Sequence, residues 1–399
     1  MQKHNFKEYK VDKSAFKTSE NSSFTPVTGL AFFAIASGFL MSLIPLSLTS
    51  FKMDTSLIAW LASIFYLGIL VGATCVQSVI SKSSHRYALM MFLSLLILTI
   101  ILMLMFPTPS VWLAARFIAG IAVAGVFVVV ESWLLMADSA KQRAKRLGLY
   151  MTSLYGGSAL GQLAIGPIGI KGLAPFFCVI GLLLIAILPP LLIKQGQPVQ
   201  LQHQRIGLKE ARKISTPAII GCLVSGMLLG PIYGLMPTYI NNQLASTETT
   251  AFLMAVIVLG GMLIQPLVSY LSIRVSKSLL MALFCLLGTI GVMGVLEGES
   301  IALISMSYFV LGASCFALYP IAITLACDAL SVEKIVAATE LMLLSYSIGS
   351  VVGPLIAEHS SSSKHSLILY LGFVLTTTSI YMLIKSLQTT RSGHTPAIG

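Results

Sequence analysis

The chain has 399 residues, of which 56% are hydrophobic and only 10% are charged, and its formal net charge is +11. Because an ordinary soluble domain carries about 25% charged residues, this composition excludes a water-soluble fold and predicts a protein whose solvent is lipid. The sequence contains no phosphate-binding loop, nucleophile elbow or metal-ligand cluster, so we expect neither an enzyme nor a cofactor or metal site.

Residues 1–23 form a polar tail that mixes lysines with acids, and no short apolar core of a cleaved signal peptide follows it. Twelve apolar segments come next, each about 18–27 residues long, which is enough to cross a hydrocarbon core ~30 Å thick. They are 27–48, 57–80, 87–106, 111–135, 147–166, 174–193, 218–240, 250–272, 279–296, 301–327, 336–357 and 366–385. We therefore predict an all-α membrane protein with twelve transmembrane helices, numbered here as spans 1 to 12.

A basic linker at 194–215 separates an N-terminal half, 24–193, from a C-terminal half, 216–387, and 388–399 form a second tail. With a cytoplasmic N-terminus, the outer loops hold only Lys52, Lys171 and Lys364, and Arg116 lies in a span. The cytoplasmic side then holds 21 of the 25 basic residues (25 minus these four). This asymmetry fits the positive-inside rule, so the charge reports topology and not a nucleic-acid surface. Both termini are predicted to be cytoplasmic.

The two halves match each other at a constant offset of 192 residues. The matches include Pro45 with Pro237, Gly120 with Gly312, Gly157 with Gly349, and Gly161 with Gly353. Two parallel copies of a membrane unit, with a site between them, are typical of a secondary transporter. We therefore predict two six-helix bundles related by a parallel pseudo-two-fold axis.

The spans differ in polarity. Spans 3, 6, 9 and 12 are apolar on nearly every face and are predicted to contact lipid. Spans 1, 4, 5, 7, 10 and 11 carry the serines, glycines, prolines, tyrosines and charges, so they should line the centre. Trp60, Trp112 and Trp133 are close to span ends, where tryptophans commonly anchor a helix at the interface.

Several strings resemble the major facilitator superfamily. ARFIAGIAVAG at 115–125 resembles its span-4 motif, and SIGSVVGPL at 347–355 has a GxxxGP pattern that ends in Pro354. A narrower resemblance, to the YcaD-like branch of bacterial permeases, rests on VVVESWL, YGLMPTYI, ALYPIA and LLSYSIGSVVGP. The resemblance implies a transporter of the bacterial inner membrane. Two departures are that 77–86 lacks the family's glycine and aspartate, and that Gly161 is followed by Gln162, not proline.

Arg116 and Glu131 are the charges placed most clearly inside a span, and both are in span 4. Fifteen residues separate them, or about 22 Å along a helix, so each needs its own partner or water. Arg116 is either a cavity cation that binds an anionic group or tunes a proton carrier, or a structural arginine bonded to carbonyl groups. Glu131 is either a proton carrier, a gate residue paired with Lys82 or Arg86, or an interfacial residue that extends toward Lys141 and Arg143.

Acidic and basic residues also cluster near the predicted cytoplasmic ends of the spans. We expect gate contacts of Asp138, Asp328 and Glu340 with Lys82, Arg86, Arg274 or Lys334. Glu340 is also a candidate second site of protonation.

Uncharged polar residues on the central or flanking spans are candidates for the substrate cavity or for bonds between helices. They are Tyr155, Gln162, Tyr233, Gln265, Tyr319 and Tyr346. The pairs Gly157/Gly161 and Gly349/Gly353 should allow close helix packing, which we expect where the two halves rock against each other.

The sequence thus predicts a monomeric secondary transporter for a small organic solute, working by alternating access in the lipid bilayer. Proton coupling is the first hypothesis, and export is favoured over uptake. The alternatives are a metabolite or sugar uptake permease, a lipid flippase or scramblase, and a non-transporting sensor on the same scaffold. No nucleic-acid partner is expected.

Overall fold

The computed structural model describes residues 23–135, 140–193, 215–327, 332–359 and 364–392, which are helical except at short connections. The first half contains α1 (Phe24–Ser47), α2 (Leu57–Lys82), α3 (His85–Met105), α4 (Pro109–Leu135), α5 (Ala140–Ile168) and α6 (Ala174–Leu192). The second half contains α7 (Thr216–Gly234), α8 (Met236–Leu244), α9 (Thr247–Leu263), α10 (Gln265–Leu271), α11 (Lys277–Glu297), α12 (Ile301–Cys327), α13 (Val332–His359) and α14 (Ser366–Ser392). We call the end of the bundle where α1 begins the near face, and the end where it stops the far face.

Eleven segments of the described chain are long and apolar enough to cross a membrane. The remaining predicted span is α5, whose 29 residues are long enough but include serines, glycines and Gln162 through its centre. This polarity suits its position, because α5 packs against α1 and α9 inside the protein. The predicted all-α fold of two six-helix bundles is confirmed.

Two crossings of the second half are broken at prolines. The helix stops at Leu235 and restarts as α8 with Pro237 in its first turn, and it stops at Ile264 and restarts as α10 with Pro266. Proline lacks an N–H group and its ring collides with the preceding turn, which explains why each break falls at a proline. Pro45 of α1 and Pro320 of α12 lie within helices that continue through them.

The 192-residue repeat holds contact by contact. A Cβ atom on Gly161 of α5 would collide with the carbonyl oxygen of Ile35 in α1, and one on Gly353 of α13 would meet that of Met227 in α7. Each residue of the second pair is 192 positions after its counterpart. Two further contacts between a glycine and a backbone carbonyl are repeated at this offset. The contact of Gly68 with Phe117 is repeated by Gly260 with Phe309, and that of Gly120 with Phe65 is repeated by Gly312 with Ile257.

These contacts correct one expectation. Gly157 and Gly161 bring α5 against α1, and Gly349 and Gly353 bring α13 against α7, so both pairs pack helices within one half. The halves meet instead along α2 with α13 and α5 with α9. Backbone-to-backbone packing leaves no room for sliding, which suits the interior of a rigid bundle better than a moving interface.

The peripheral helices are those predicted from their composition. α3 packs against α4 and α6, and α11 packs against α12 and α14. Their outer faces expose large apolar side chains such as Met105, Ile290 and Phe373. Trp60 is half exposed, as an interfacial anchor should be, but Trp112 and Trp133 are fully buried, and that part of the expectation is wrong. Trp112 donates its indole N–H to the carbonyl of Met103, at 2.9 Å, so it packs inside the first half.

At the far face the core of the second half continues into the first half. Ile44, Leu48, Met53, Trp112 and Ala115 belong to the same buried cluster as the second-half core, and all five lie at or near far-face ends of helices. A separate buried cluster fills most of the first half. The two halves are therefore joined by a continuous apolar seal on the far side.

Candidate functional site

Aromatic side chains from both halves meet near the middle of the bundle. The ring of Phe316 in α12 makes edge contacts with Tyr155 of α5 at 5.6 Å between centroids and with Tyr233 of α7 at 5.8 Å. Tyr319 and Tyr346, on α12 and α13, lie 5.0 Å apart. Four of the predicted central spans, 5, 7, 10 and 11, thus contribute to one aromatic site.

Phe65 and Tyr66 of α2 extend this site toward the far face, and their rings are 5.6 Å apart. Tyr66 lies near Tyr346, which in turn lies near Tyr155 and Tyr233. We call these side chains the aromatic column. Its members are Phe65, Tyr66, Tyr155, Tyr233, Phe316, Tyr319 and Tyr346.

The tyrosine hydroxyls of the column are available for new hydrogen bonds. Within the described residues, those of Tyr66, Tyr155, Tyr233 and Tyr319 have no hydrogen-bond partner. A tyrosine hydroxyl can both donate and accept a hydrogen bond. The column can therefore offer flat apolar surface and polar groups to the same molecule.

Arg116 lies at the far-face end of the column. Its guanidinium carbon is 4.0 Å from the centroid of the Phe65 ring, and Tyr66 is its electrostatic neighbour. The Nε atom is buried and has no hydrogen-bond partner in the described structure. Close packing of α2 on α4 through Gly68 and Gly120 explains why the arginine rests against α2.

Glu131 lies at the opposite, near-face end of α4. Its side chain is accessible and lies near Tyr150 of α5 and Tyr319 of α12. Glu131 therefore has neighbours on helices of both halves. Arg116 and Glu131 thus occupy opposite ends of the same site.

The predicted gate residues are only partly placed. Arg86 donates its Nε–H to the carbonyl of Pro190 and an Nη–H to that of Leu191, at 2.8 Å for the latter, so it closes the end of α6. Lys82 is exposed at the end of α2. Arg274 stacks on Tyr270 of the preceding turn at 4.0 Å. Asp138 and Asp328 and the side chains of Lys334 and Glu340 lie outside the described part of the structure, so the gate contacts stay a prediction.

The two glutamines make hydrogen bonds between helices. Gln162 is fully buried, accepts a hydrogen bond from the Ser42 hydroxyl at 2.6 Å, and donates one to the carbonyl of Gly38 at 2.7 Å. Gln265 donates to the carbonyl groups of Gly261, at 2.9 Å, and Phe316, at 3.4 Å. Gln162 therefore joins α5 to α1, and Gln265 joins the α9–α10 break to α12.

Sequence reasoning missed three members of this site and one of its supports. Nothing in the sequence distinguishes Phe65, Tyr66 and Phe316 from the other apolar residues of their spans, or Ser42 from the other serines. Phe65 and Tyr66 precede Gly68, whose counterpart at the 192-residue offset is Gly260. That repeated glycine was the available signal that a close contact of α2 lies beside them.

A groove of about 470 Å³ opens beside the column between α1, α5 and α9. Its lining is mainly aliphatic or glycine, and its hydroxyl groups come from Thr152 and Ser153. The other residues are Ala31, Ile35, Gly156, Gly157, Ala159, Leu160, Leu163 and Leu259. The groove offers little to a charged or strongly polar group.

Residues 27–354 match the family model of the Major Facilitator Superfamily. The chain belongs to the Major Facilitator Superfamily. It is therefore a multi-pass membrane protein of a transporter family, as the span-4 and GxxxGP strings predicted.

Relatives and solved structures of this family agree over nearly the whole chain. The chain is 30% identical over 377 residues to "Uncharacterized MFS-type transporter YcaD" of Shigella flexneri serotype 5b (strain 8401), covering 93% of this chain and 96% of the relative. It is 31% identical over 375 residues to the protein of that name from Escherichia coli O6:K15:H31, with the same coverage. A mutant of the nucleoside transporter NupG superposes with a TM-score of 0.75 at 12% identity, covering 91% of this chain and 98% of that one. A bacterial homologue of the lysosomal transporter Spinster, inward-facing and unoccupied, superposes with a TM-score of 0.69 at 12% identity, covering 92% and 95%.

Proposed function

We propose that the protein moves a small organic, amphipathic solute across the bacterial inner membrane by proton-coupled alternating access, and that it acts as a monomer. The observation that carries this proposal is the aromatic column, which lies between the two halves with Arg116 at one end and Glu131 at the other. A binding site at the interface of two repeats is where alternating access requires it. The moving units are the halves 24–193 and 216–387, joined by the cytoplasmic linker 194–215.

The apolar seal supports a state in which the site is closed toward the far face. Gly234 of α7 packs against Ala62 of α2, and Gly166 of α5 approaches Glu248 of α9, all close to that face. With both termini in the cytoplasm, the far face is the outer one, so this seal is the one expected of an inward-facing state. The Spinster homologue is a solved structure described in that state. Loading from the cytoplasm agrees with export, and uptake is the alternative.

Glu131 is the proposed proton carrier. It lies at the near-face end of the site, with Tyr150 and Tyr319 beside it, and it has no ion-pair partner among the described residues. A carboxylate alternately exposed to two aqueous phases can bind a proton on one side and release it on the other. Arg86 is committed to the carbonyl groups of α6, which favours a carrier over a fixed gate pair with that arginine.

The experiment uses proteoliposomes that contain a trapped pH-sensitive dye and are exposed to small organic solutes one at a time. A transported solute should change the internal pH in vesicles with wild-type protein and not in empty ones. Glu131→Gln should abolish accumulation driven by a pH gradient, because the amide carries no titratable proton, while solute exchange without a gradient continues.

Glu299→Gln is the matched control, since Glu299 is an exposed loop carboxylate between α11 and α12. It should behave as wild type in both assays. Wild-type pH dependence in Glu131→Gln would remove Glu131 from the proton path. Failure of every solute to move would overturn transport itself.

The lateral groove does not favour a lipid flippase. A flippase needs a polar path for the headgroup through the membrane. The ten residues that line the groove include only the hydroxyl groups of Thr152 and Ser153 as polar side-chain groups.

A further inference from the structure

We propose that the solute is an organic anion with a flat, aromatic or conjugated body. Its anionic group would pair with Arg116, and its body would lie among the rings of the aromatic column. This inference rests on the proposed function and names the class of solute for that site.

Arg116 carries an unpaired charge in the described structure. Its buried Nε has no hydrogen-bond partner, and no carboxylate of the described residues pairs with the guanidinium. The acidic residue of α4 is Glu131, and it lies about 22 Å from Arg116 along the helix axis, too far to pair with it. A buried arginine without a counter-charge is costly in a membrane, and an anionic ligand would neutralise it.

The guanidinium group of Arg116 is stacked against an aromatic ring. Phe65 covers one face of it, with 4.0 Å between the guanidinium carbon and the ring centroid. Stacking leaves the edge of the group, where the N–H bonds point, for a ligand. An Nε–H and an Nη–H along one edge bind a carboxylate, sulfonate or phosphate with two parallel hydrogen bonds. The contact with Phe65 therefore orients the arginine before the ligand arrives.

The rest of the site fits a flat, aromatic solute body. On the near-face side of Arg116, the site contains Tyr66, Tyr155, Tyr233 and Phe316. The hydroxyl groups of these three tyrosines have no hydrogen-bond partner in the described chain. Aromatic rings prefer edge or offset contacts with another flat ring. A sugar would need many directional amide groups, but Gln162 already bonds Ser42 and Gly38. An organic cation would be repelled by the positive charge of Arg116.

The test measures ligand binding to the purified full-length protein in detergent by isothermal titration calorimetry. The probes are benzoate, cinnamate, 3-phenylpropanoate and indole-3-acetate, each with its uncharged amide, together with 3-cyclohexylpropanoate and 3-phenylpropylammonium. We expect at least one aromatic acid to bind. Its affinity should be roughly tenfold or more higher than that of its amide, of the cyclohexyl acid and of the ammonium compound. If no acid in the set binds better than its amide, the inference is overturned.

Variants assign the effect to Arg116. Arg116→Gln should weaken binding of the acid by about tenfold or more and leave the weak binding of the amide unchanged, whereas Arg116→Lys should keep part of the preference for the acid. The lysine variant also guards against misfolding, since it retains the charge. Lys171→Gln, which removes an exposed loop charge, should bind as wild type. Equal binding of the acid by Arg116→Gln and wild type would overturn the inference.

The inference and the proposed function fail in different ways. If amides or amines bind and drive proton flux, the protein is a transporter but its solute is not an organic anion. If the acids bind through Arg116 but no solute moves in proteoliposomes, the binding site is as inferred and transport is overturned. Glu131→Gln should retain Arg116-dependent binding, because the two residues are at opposite ends of the column.

Discussion

Gln162 and Arg116 illustrate how two polar residues of one half can have opposite roles. Both lie inside a span, and the sequence presents both as cavity candidates. The amide of Gln162 bonds Ser42 and Gly38 of α1 on both its polar atoms. The Nε of Arg116 bonds no group of the described protein. A satisfied polar group stabilises the fold, whereas an unsatisfied one is available for a ligand.

We predict that Ser42→Ala destabilises the protein by about 1–3 kcal/mol, because it leaves the buried Oε1 atom of Gln162 without a donor. Adding Gln162→Leu should recover part of this loss, since the orphaned oxygen is removed. The measurement is the midpoint of thermal unfolding in detergent. Ser47→Ala is the control and should change little, because Ser47 bonds only Ile44 of its own helix. Strictly additive effects of Ser42→Ala and Gln162→Leu would contradict the coupling.

At the scale of elements, glycine spacing decides how close the helices approach. Gly157 and Gly161 are four residues apart on α5, as Gly349 and Gly353 are on α13. The spacing predicts a tight contact but does not name the partner. The structure assigns both contacts to the first helix of the same half, α1 or α7, because the neighbour depends on how six helices are arranged and not on one helix.

We predict that Gly161→Ala lowers stability by about 1–3 kcal/mol, because the new methyl group would collide with the backbone of α1 at Ile35. Gly353→Ala should cost a similar amount, because its contact with Met227 is the repeat of the first. Thermal unfolding in detergent measures both. Gly148→Ala, in the same helix as Gly161 but with nothing within 4 Å of the added atom, should be neutral or stabilise by up to ~1 kcal/mol. A Gly161→Ala variant as stable as Gly148→Ala would contradict the packing.

At the scale of the whole molecule, the closed far face predicts a cross-link that arrests the cycle. A Cβ atom on Gly166 would lie 3.5 Å from the Cγ of Glu248, across the α5–α9 interface. In a background where the exposed Cys75 and Cys178 are serine, Gly166→Cys with Glu248→Cys should form a disulfide on mild oxidation. Gel mobility with and without reductant measures the bond.

Because the far face must open for alternating access, the oxidised double variant should stop solute-dependent proton flux in proteoliposomes, and reductant should restore it. Each single cysteine variant serves as the control and should respond to neither treatment. Undiminished flux in the cross-linked protein would show that these positions do not separate during transport.

Composition and spacing along single segments dictate the lipid solvent, the twelve predicted crossings, the outward helices and the repeat. Each of these can be predicted without knowing which helices are neighbours, and Met105, Ile290 and Phe373 are exposed on spans 3, 9 and 12, which were predicted to contact lipid. Only the tertiary structure decided which side chains are in contact. Gln162 bonds Ser42, which is 120 residues away in the sequence, and Trp112 is buried. Arg116 stacks on an aromatic ring but has no counter-charge among the described residues. Such outcomes depend on the partners that distant helices bring, which no local pattern records.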